Sequence, residues 1–200
     1  MEAFSGRYRA AAWDARGYGD SEDYAGPLDF AEFWRDLERV LDHLCAQRAH
    51  LVGLSMGGRI ARDFALQRPR RVASLTLANS SPGYDALSPD EVQAYLDARR
   101  APLLAGKSPR DIAPELARRL IGSHPAPGVF EELVESIAAL RKDSYLKSLE
   151  ASVTQDRAAP LERIAVPTLV ITSDEDRLYT PALARDMARR IPGAELAEIQ

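Results

Sequence analysis

Only one cysteine, Cys45, occurs among the 200 residues, so no intramolecular disulfide can form and the usage fits a reducing compartment. Long hydrophobic runs are missing too. No stretch approaches the roughly 20 apolar residues that a membrane-spanning helix requires. Met1, Glu2, Ala3 and Phe4 do not combine a basic region with a following apolar one, as a secretory leader would. These absences predict a cytoplasmic protein with no membrane partner. Positive charge is not in excess either: 26 Lys and Arg against 30 Asp and Glu leave a net charge of -4, which argues against a nucleic-acid partner. The short cluster Arg68, Arg70, Arg71 reads as a solvated helix end. Neither a G-x-G-x-x-G fingerprint nor a lysine-bearing Walker loop is present, which removes the dinucleotide and P-loop readings. Cys45 itself falls in an amphipathic helical pattern and reads as a small buried hydrophobe rather than a reactive thiol.

What remains is ordinary globular material, 46% hydrophobic and 28% charged, enough for a substantial core. Residues 8–13 read as a buried strand ending in the turn-rich run Asp14-Ala15-Arg16-Gly17-Tyr18-Gly19. Phe30, Phe33, Trp34, Leu37, Val40, Leu41 and Leu44 recur at three- and four-residue spacing, which predicts a helix with one apolar stripe. A strand over residues 50–54, a helix over residues 56–67 stopped by Pro69, and a strand over residues 72–78 follow. Such alternation predicts a parallel sheet with helices on its faces and a ligand site beyond the carboxyl ends of the strands.

From Ser81 to about Arg157 only helical signals occur. Ser88-Pro89-Asp90-Glu91 and Ser108-Pro109-Arg110-Asp111 each place a cap, a proline and an acid three residues on. Ile112, Leu116 and Leu120 form one stripe, and Phe130, Leu133, Val134, Ile137 and Leu140 another. Helices inserted between strands in this way predict a lid. The sheet resumes over residues 167–172. A helix capped by Thr180, with Pro181 next and Leu183, Met187 and Ile191 on one face, then leads to a strand starting at Glu195. The expected fold is therefore α/β, a mostly parallel sheet with flanking helices and an inserted helical lid. Residues 1–81 and 158–200 form the two parts of the core and residues 82–157 the lid.

The most telling stretch is Gly53-Leu54-Ser55-Met56-Gly57, followed by Gly58, fed by the apolar Leu51 and Val52 and continued by a helical pattern. That is the layout of a nucleophile elbow, a sharp strand-to-helix turn that exposes the serine hydroxyl over a helix N-terminus. Gly53 and Gly57 are expected to leave room for the tight crossing.

With the elbow, the run from Trp13 to Ser21 (a D-x-R-G-x-G-x-S loop) and the segment from Val166 to Pro181, the chain resembles the α/β-hydrolase superfamily. Within it the likeness is to the lidded esterase and oxoadipate enol-lactonase branch. The resemblance implies a serine hydrolase acting on a carboxylic ester or lactone through an acyl-serine intermediate, with no metal or organic cofactor. Ser55 would be the nucleophile, the Met56 N–H an oxyanion donor, and Asp176 the acid that orients the base. Asp174 competes for the acid role because Ser173 replaces the usual glycine. Asn79 sits where some relatives place the acid, although an amide cannot stabilise an imidazolium equally well.

In that family the histidine follows the acid, whereas His43, His50 and His124 all precede Asp176. His43 reads as a helix-surface residue, and His50 lies roughly 16 Å from Ser55 by strand rise. His124 reads as a lid-loop residue, with a role as substitute base left open. The resemblance thus implies a hydrolase clipped at both ends, holding the nucleophile and acid without the base or the second oxyanion donor. A noncatalytic small-molecule binder, a cofactor-free perhydrolase and a carbon–carbon bond hydrolase are the alternatives.

Overall fold

In the computed structural model, which describes residues 2–84, 87–155 and 159–200, four strands form one parallel sheet in the order β1-β2-β3-β4. Along the chain come α1 (Glu2–Ser5), α2 (Ala31–His43), β1 (Ala49–Leu54), α3 (Met56–Gln67) and β2 (Val72–Ala78). Four helices follow, α4 (Pro89–Leu104), α5 (Pro109–Leu120), α6 (Val129–Ala138) and α7 (Lys142–Thr154). The chain then returns to the sheet with β3 (Thr168–Ser173), α8 (Pro181–Arg190) and β4 (Glu195–Ile199). The sequence places α3 and β2 correctly because Pro69 stops the one and a β-branched, aliphatic run specifies the other. The boundary expected near Arg157 lies outside the described residues. Among those described, no helix is long and apolar enough to cross a membrane.

Alternation along the strands fixes which face is packed. Leu51 and Gly53 are buried, whereas their neighbours Val52 and Leu54 are 71% and 67% exposed. Leu51, Leu75, Leu77 and Val170 pack with Leu41 of α2, Phe64 of α3, and Ala184 and Met187 of α8 into one core. Each large apolar side chain so enclosed stabilises the fold by about 1.5–3 kcal/mol. Strand register aligns the carboxyl ends, since Leu54 pairs with Ala78 and Ala78 with Ile171. The segments leaving β1, β2 and β3 therefore emerge side by side.

The inserted helices pack in two pairs, α5 on α6 and α4 on α7. Both Ser-Pro signals form capping boxes, Ser88 with Glu91 and Ser108 with Asp111. On α5 the buried residues are Pro109, Ala113 and Ala117, while Leu120 is 50% exposed, so the expected stripe of Ile112, Leu116 and Leu120 is displaced. The small Ala113 and Ala117 let α6 approach through Ile137. Thr180 precedes α8 without a side-chain cap bond.

Two further expectations are overturned. Residues 8–13 form no strand: Tyr8 sets its ring edge-on to His50 at 5.5 Å and Arg9 donates to the Leu44 carbonyl at 2.9 Å. An apolar run becomes a strand only where a second backbone bonds to it, and among the described residues none does here. Cys45 is exposed, not buried, because α2 ends at His43 in a Schellman motif. Ala46 N–H donates to Leu41 and Cys45 N–H to Asp42, leaving Cys45 at the left-handed position with φ 53°. Two members of the basic cluster pair with α2, Arg68 with Glu38 and Arg71 with Asp42.

Candidate active site

Ser55 joins β1 to α3 with φ 53° and ψ -118°, a backbone state that costs a non-glycine residue about 1–3 kcal/mol. Four hydrogen bonds hold it there. Its N–H donates to Ala78 O at 2.9 Å, and its carbonyl accepts from Gly58 N at 3.0 Å, Arg59 N at 3.3 Å and Ser80 Oγ at 2.8 Å. The hydroxyl makes no cap bond to α3. Met56 opens the helix, so its N–H belongs to the turn that lacks intrahelical acceptors and carries the positive end of the dipole.

The glycines divide differently from the sequence expectation. A Cβ on Gly53 would collide with the carbonyl of Gly57 and the nitrogen of Gly58, and one on Gly58 would strike Ser80, whereas Gly57 faces open space. Gly53→Ala is expected to lower stability by at least about 3 kcal/mol, roughly 6–12 °C in thermal unfolding, because only backbone can yield. Gly57→Ala is expected to unfold within about 2 °C of the parent. Equal losses in the two variants would show that the crossing is not what Gly53 permits.

The carboxylates after β3 are separated by their partners. Asp176 is half-buried: Oδ1 accepts from Leu178 N and Tyr179 N, both at 2.8 Å, and Oδ2 from Asn79 Nδ2 at 2.6 Å. Asp174 is exposed, with its N–H on Ile199 O at 3.1 Å. Glu175 turns to the α5–α6 loop, accepting from Ser123 N at 2.6 Å and from the Ser123 hydroxyl. The Ser123 hydroxyl and N–H hold the Glu175 carboxyl below the usual range. Asp176 is thus the carboxylate tied to the end of β2, next to the elbow.

The three histidines fall on α2, β1 and the α5–α6 loop. His43 is exposed on α2, and His50 is exposed with Nδ1 2.7 Å from Ser74 Oγ. His124 sits in the α5–α6 loop with Nδ1 2.7 Å from Ser123 Oγ, lining a cleft of ≈ 510 Å³ together with Leu133, Asp174 and Glu175. Among the described residues no histidine hydrogen-bonds to Ser55 or Asp176. Nor, among them, are three His, Cys, Asp or Glu side chains grouped to hold a metal ion.

The D-x-R-G-x-G-x-S loop is a brace between layers. Arg16 pairs with Asp36 at 2.6 Å and Glu32 at 3.0 Å on α2, and Asp14 accepts from Asp20 N at 3.1 Å. Just before α7, Arg141 donates to Gly19 O and Ser21 O, both at 2.6 Å, and in its first turn Ser144 donates to Asp23. Sequence reasoning missed two further features. Arg59, 3% exposed, reaches from α3 to Ser152 O of α7 at 2.8 Å and stacks over Phe30 and Tyr84. Tyr84 OH lies 3.1 Å from Tyr179 OH and 3.4 Å from Tyr95 OH, and burial pushes its phenol far above the ordinary range, so it stays neutral. The one available signal was a pair of arginines, Arg59 and Arg62, at helical spacing among the apolar residues of α3.

Comparison with known proteins bears on the fold. Residues 1–200 match the family model described as alpha/beta hydrolase fold. The chain is 28% identical over 200 residues to 3-oxoadipate enol-lactonase 2 of Acinetobacter baylyi, covering 98% of this chain and 72% of the relative. It is 30% identical over 199 residues to a 2-hydroxy-6-oxononadienedioate/2-hydroxy-6-oxononatrienedioate hydrolase of Cupriavidus pinatubonensis, covering 94% and 67%. The solved enol-lactonase of Burkholderia xenovorans LB400 superposes with a TM-score of 0.86 at 27% identity, over 100% of this chain and 75% of that one. With a parallel sheet, a strained serine between strand and helix, and a full-length match, the chain belongs to the α/β-hydrolase fold family.

Proposed function

We propose that this protein is a serine hydrolase that cleaves a carboxylic ester or lactone. The observation that carries the reading is Ser55, strained over the first turn of α3, beside an Asp176 held at the neighbouring strand end. Ser55 Oγ attacks the acyl carbon while a base takes its proton, and the oxyanion receives the Met56 N–H. The carbon–oxygen bond to the leaving alkoxide then breaks, and the base returns the proton to it. Water hydrolyses the acyl-serine by the same steps in reverse order, which calls on no metal or organic cofactor. Asp176 orients the base and stabilises its cationic form. The helices α4 to α7 act as a lid that excludes water, in a cytoplasmic protein.

The enol-lactonases among the relatives favour a lactone, a ring ester whose alkoxide stays tethered after cleavage. The Cupriavidus hydrolase supports a second reading, carbon–carbon bond hydrolysis by the same residues. The test is turnover of an enol-lactone, a p-nitrophenyl ester and a 2-hydroxy-6-oxo-dienoate by protein expressed from the full reading frame. Ester or lactone turnover is expected, and tight binding without turnover of any of the three would sink the proposal. Because no histidine among the described residues hydrogen-bonds to Ser55 or Asp176, the 200 residues alone are expected to hydrolyse esters at background rate. Measurable turnover by them that vanished with His124→Ala would move the base to His124.

A further inference from the structure

Asn79 ends β2 in the left-handed region, with φ 43° and its N–H on Ile171 O at 2.9 Å. Asparagine tolerates that backbone better than most residues, and backbone need alone would account for it. Its side chain does more. Nδ2 donates to Asp176 Oδ2 at 2.6 Å and reaches Ser173 Oγ at 3.3 Å. The two N–H groups of the Asp176 loop converge on Oδ1 and so hold one oxygen only. A carboxylate held at one oxygen can still swing about that point, and a donor from a second element removes the freedom. The donor also comes from the strand end aligned with Leu54, directly before Ser55, so it fixes the carboxylate relative to the elbow rather than to its own loop.

We propose that Asn79 is a positioning residue, whose side-chain amide sets the orientation in which Asp176 meets the catalytic base. This rests on the Ser55–Asp176 reading above. The amide is suited to the task because it offers a donor without a competing negative charge. Truncation should therefore lower the rate of the chemical step and leave substrate binding alone.

The test compares Asn79→Gly and Asn79→Asp in protein from the full reading frame, with kcat normalised to the folded fraction. Glycine keeps the backbone freedom and deletes the amide, while aspartate keeps size and backbone preference but sets a like charge against Asp176. Asn79→Gly is expected to reduce kcat by roughly 10- to 100-fold with KM within about twofold, the loss of one hydrogen bond to a charged group. Asn79→Asp should be worse, since two adjacent carboxylates repel. Parent-like kcat in Asn79→Gly would assign the residue to the backbone alone, and parent-like kcat in Asn79→Asp would show that a carboxylate at the end of β2 serves as the acid, with no need for an amide that positions Asp176. Either result overturns the inference. If Ser55→Ala and Asp176→Asn are also fully active, the underlying reading falls with it; if both are inactive, only the role of Asn79 is lost.

Discussion

Replacing Ser55 with alanine is expected to lower kcat for ester or lactone hydrolysis by roughly four to six orders of magnitude, with little change in KM. Without Oγ no acyl-enzyme can form, and what persists is the assistance that the Met56 N–H gives to direct attack by water. The fold should hardly register the change. The Ser55 hydroxyl makes no cap bond to α3, and the bonds that secure the strained turn all run through its backbone. Steady-state kinetics on protein of parent thermal stability checks this, and a loss below about tenfold would exclude Ser55 as the nucleophile.

Asp176→Asn is expected to cost on the order of 10⁴-fold in kcat, since an amide in place of the acid favours the wrong tautomer of the base. The hydrogen bonds of this protein make the substitution doubly unfavourable. Two backbone N–H groups claim one oxygen, which leaves the new amide nitrogen facing Asn79 Nδ2, donor against donor across 2.6 Å. Asp174→Asn, at an exposed position, should change kcat less than about threefold. Kinetics on both variants decides between the two carboxylates that the sequence left in competition, and the reverse order of losses would transfer the acid role to Asp174.

The parts legible in the sequence were those with a local cause. Pro69 stops α3, Ser88 and Ser108 build their capping boxes within three residues, and the Gly-rich elbow announces a crossing that no side chain fits. What escaped depends on partners distant along the chain. Residues 8–13 carry a strand-like pattern, but pattern supplies only one side of a ladder. Cys45 continues an apolar stripe, yet the Schellman bonds from Ala46 and Cys45 had already ended the helix. Gly58 rather than Gly57 meets Ser80, a contact set by how α3 lies on β2. The Asn79–Asp176 bond and the Tyr84–Tyr179 pair each join residues more than 90 positions apart, and composition gives no sign of either.

The account turns on an acyl-accepting hydroxyl at Ser55, and covalent trapping reads it most directly. Protein from the full reading frame, treated with a fluorophosphonate and mapped by peptide mass spectrometry, should carry one stoichiometric adduct on the peptide containing Ser55. The label should be absent from Ser55→Ala. An adduct on another residue, or full hydrolytic activity in protein whose Ser55 stays unlabelled, would contradict it.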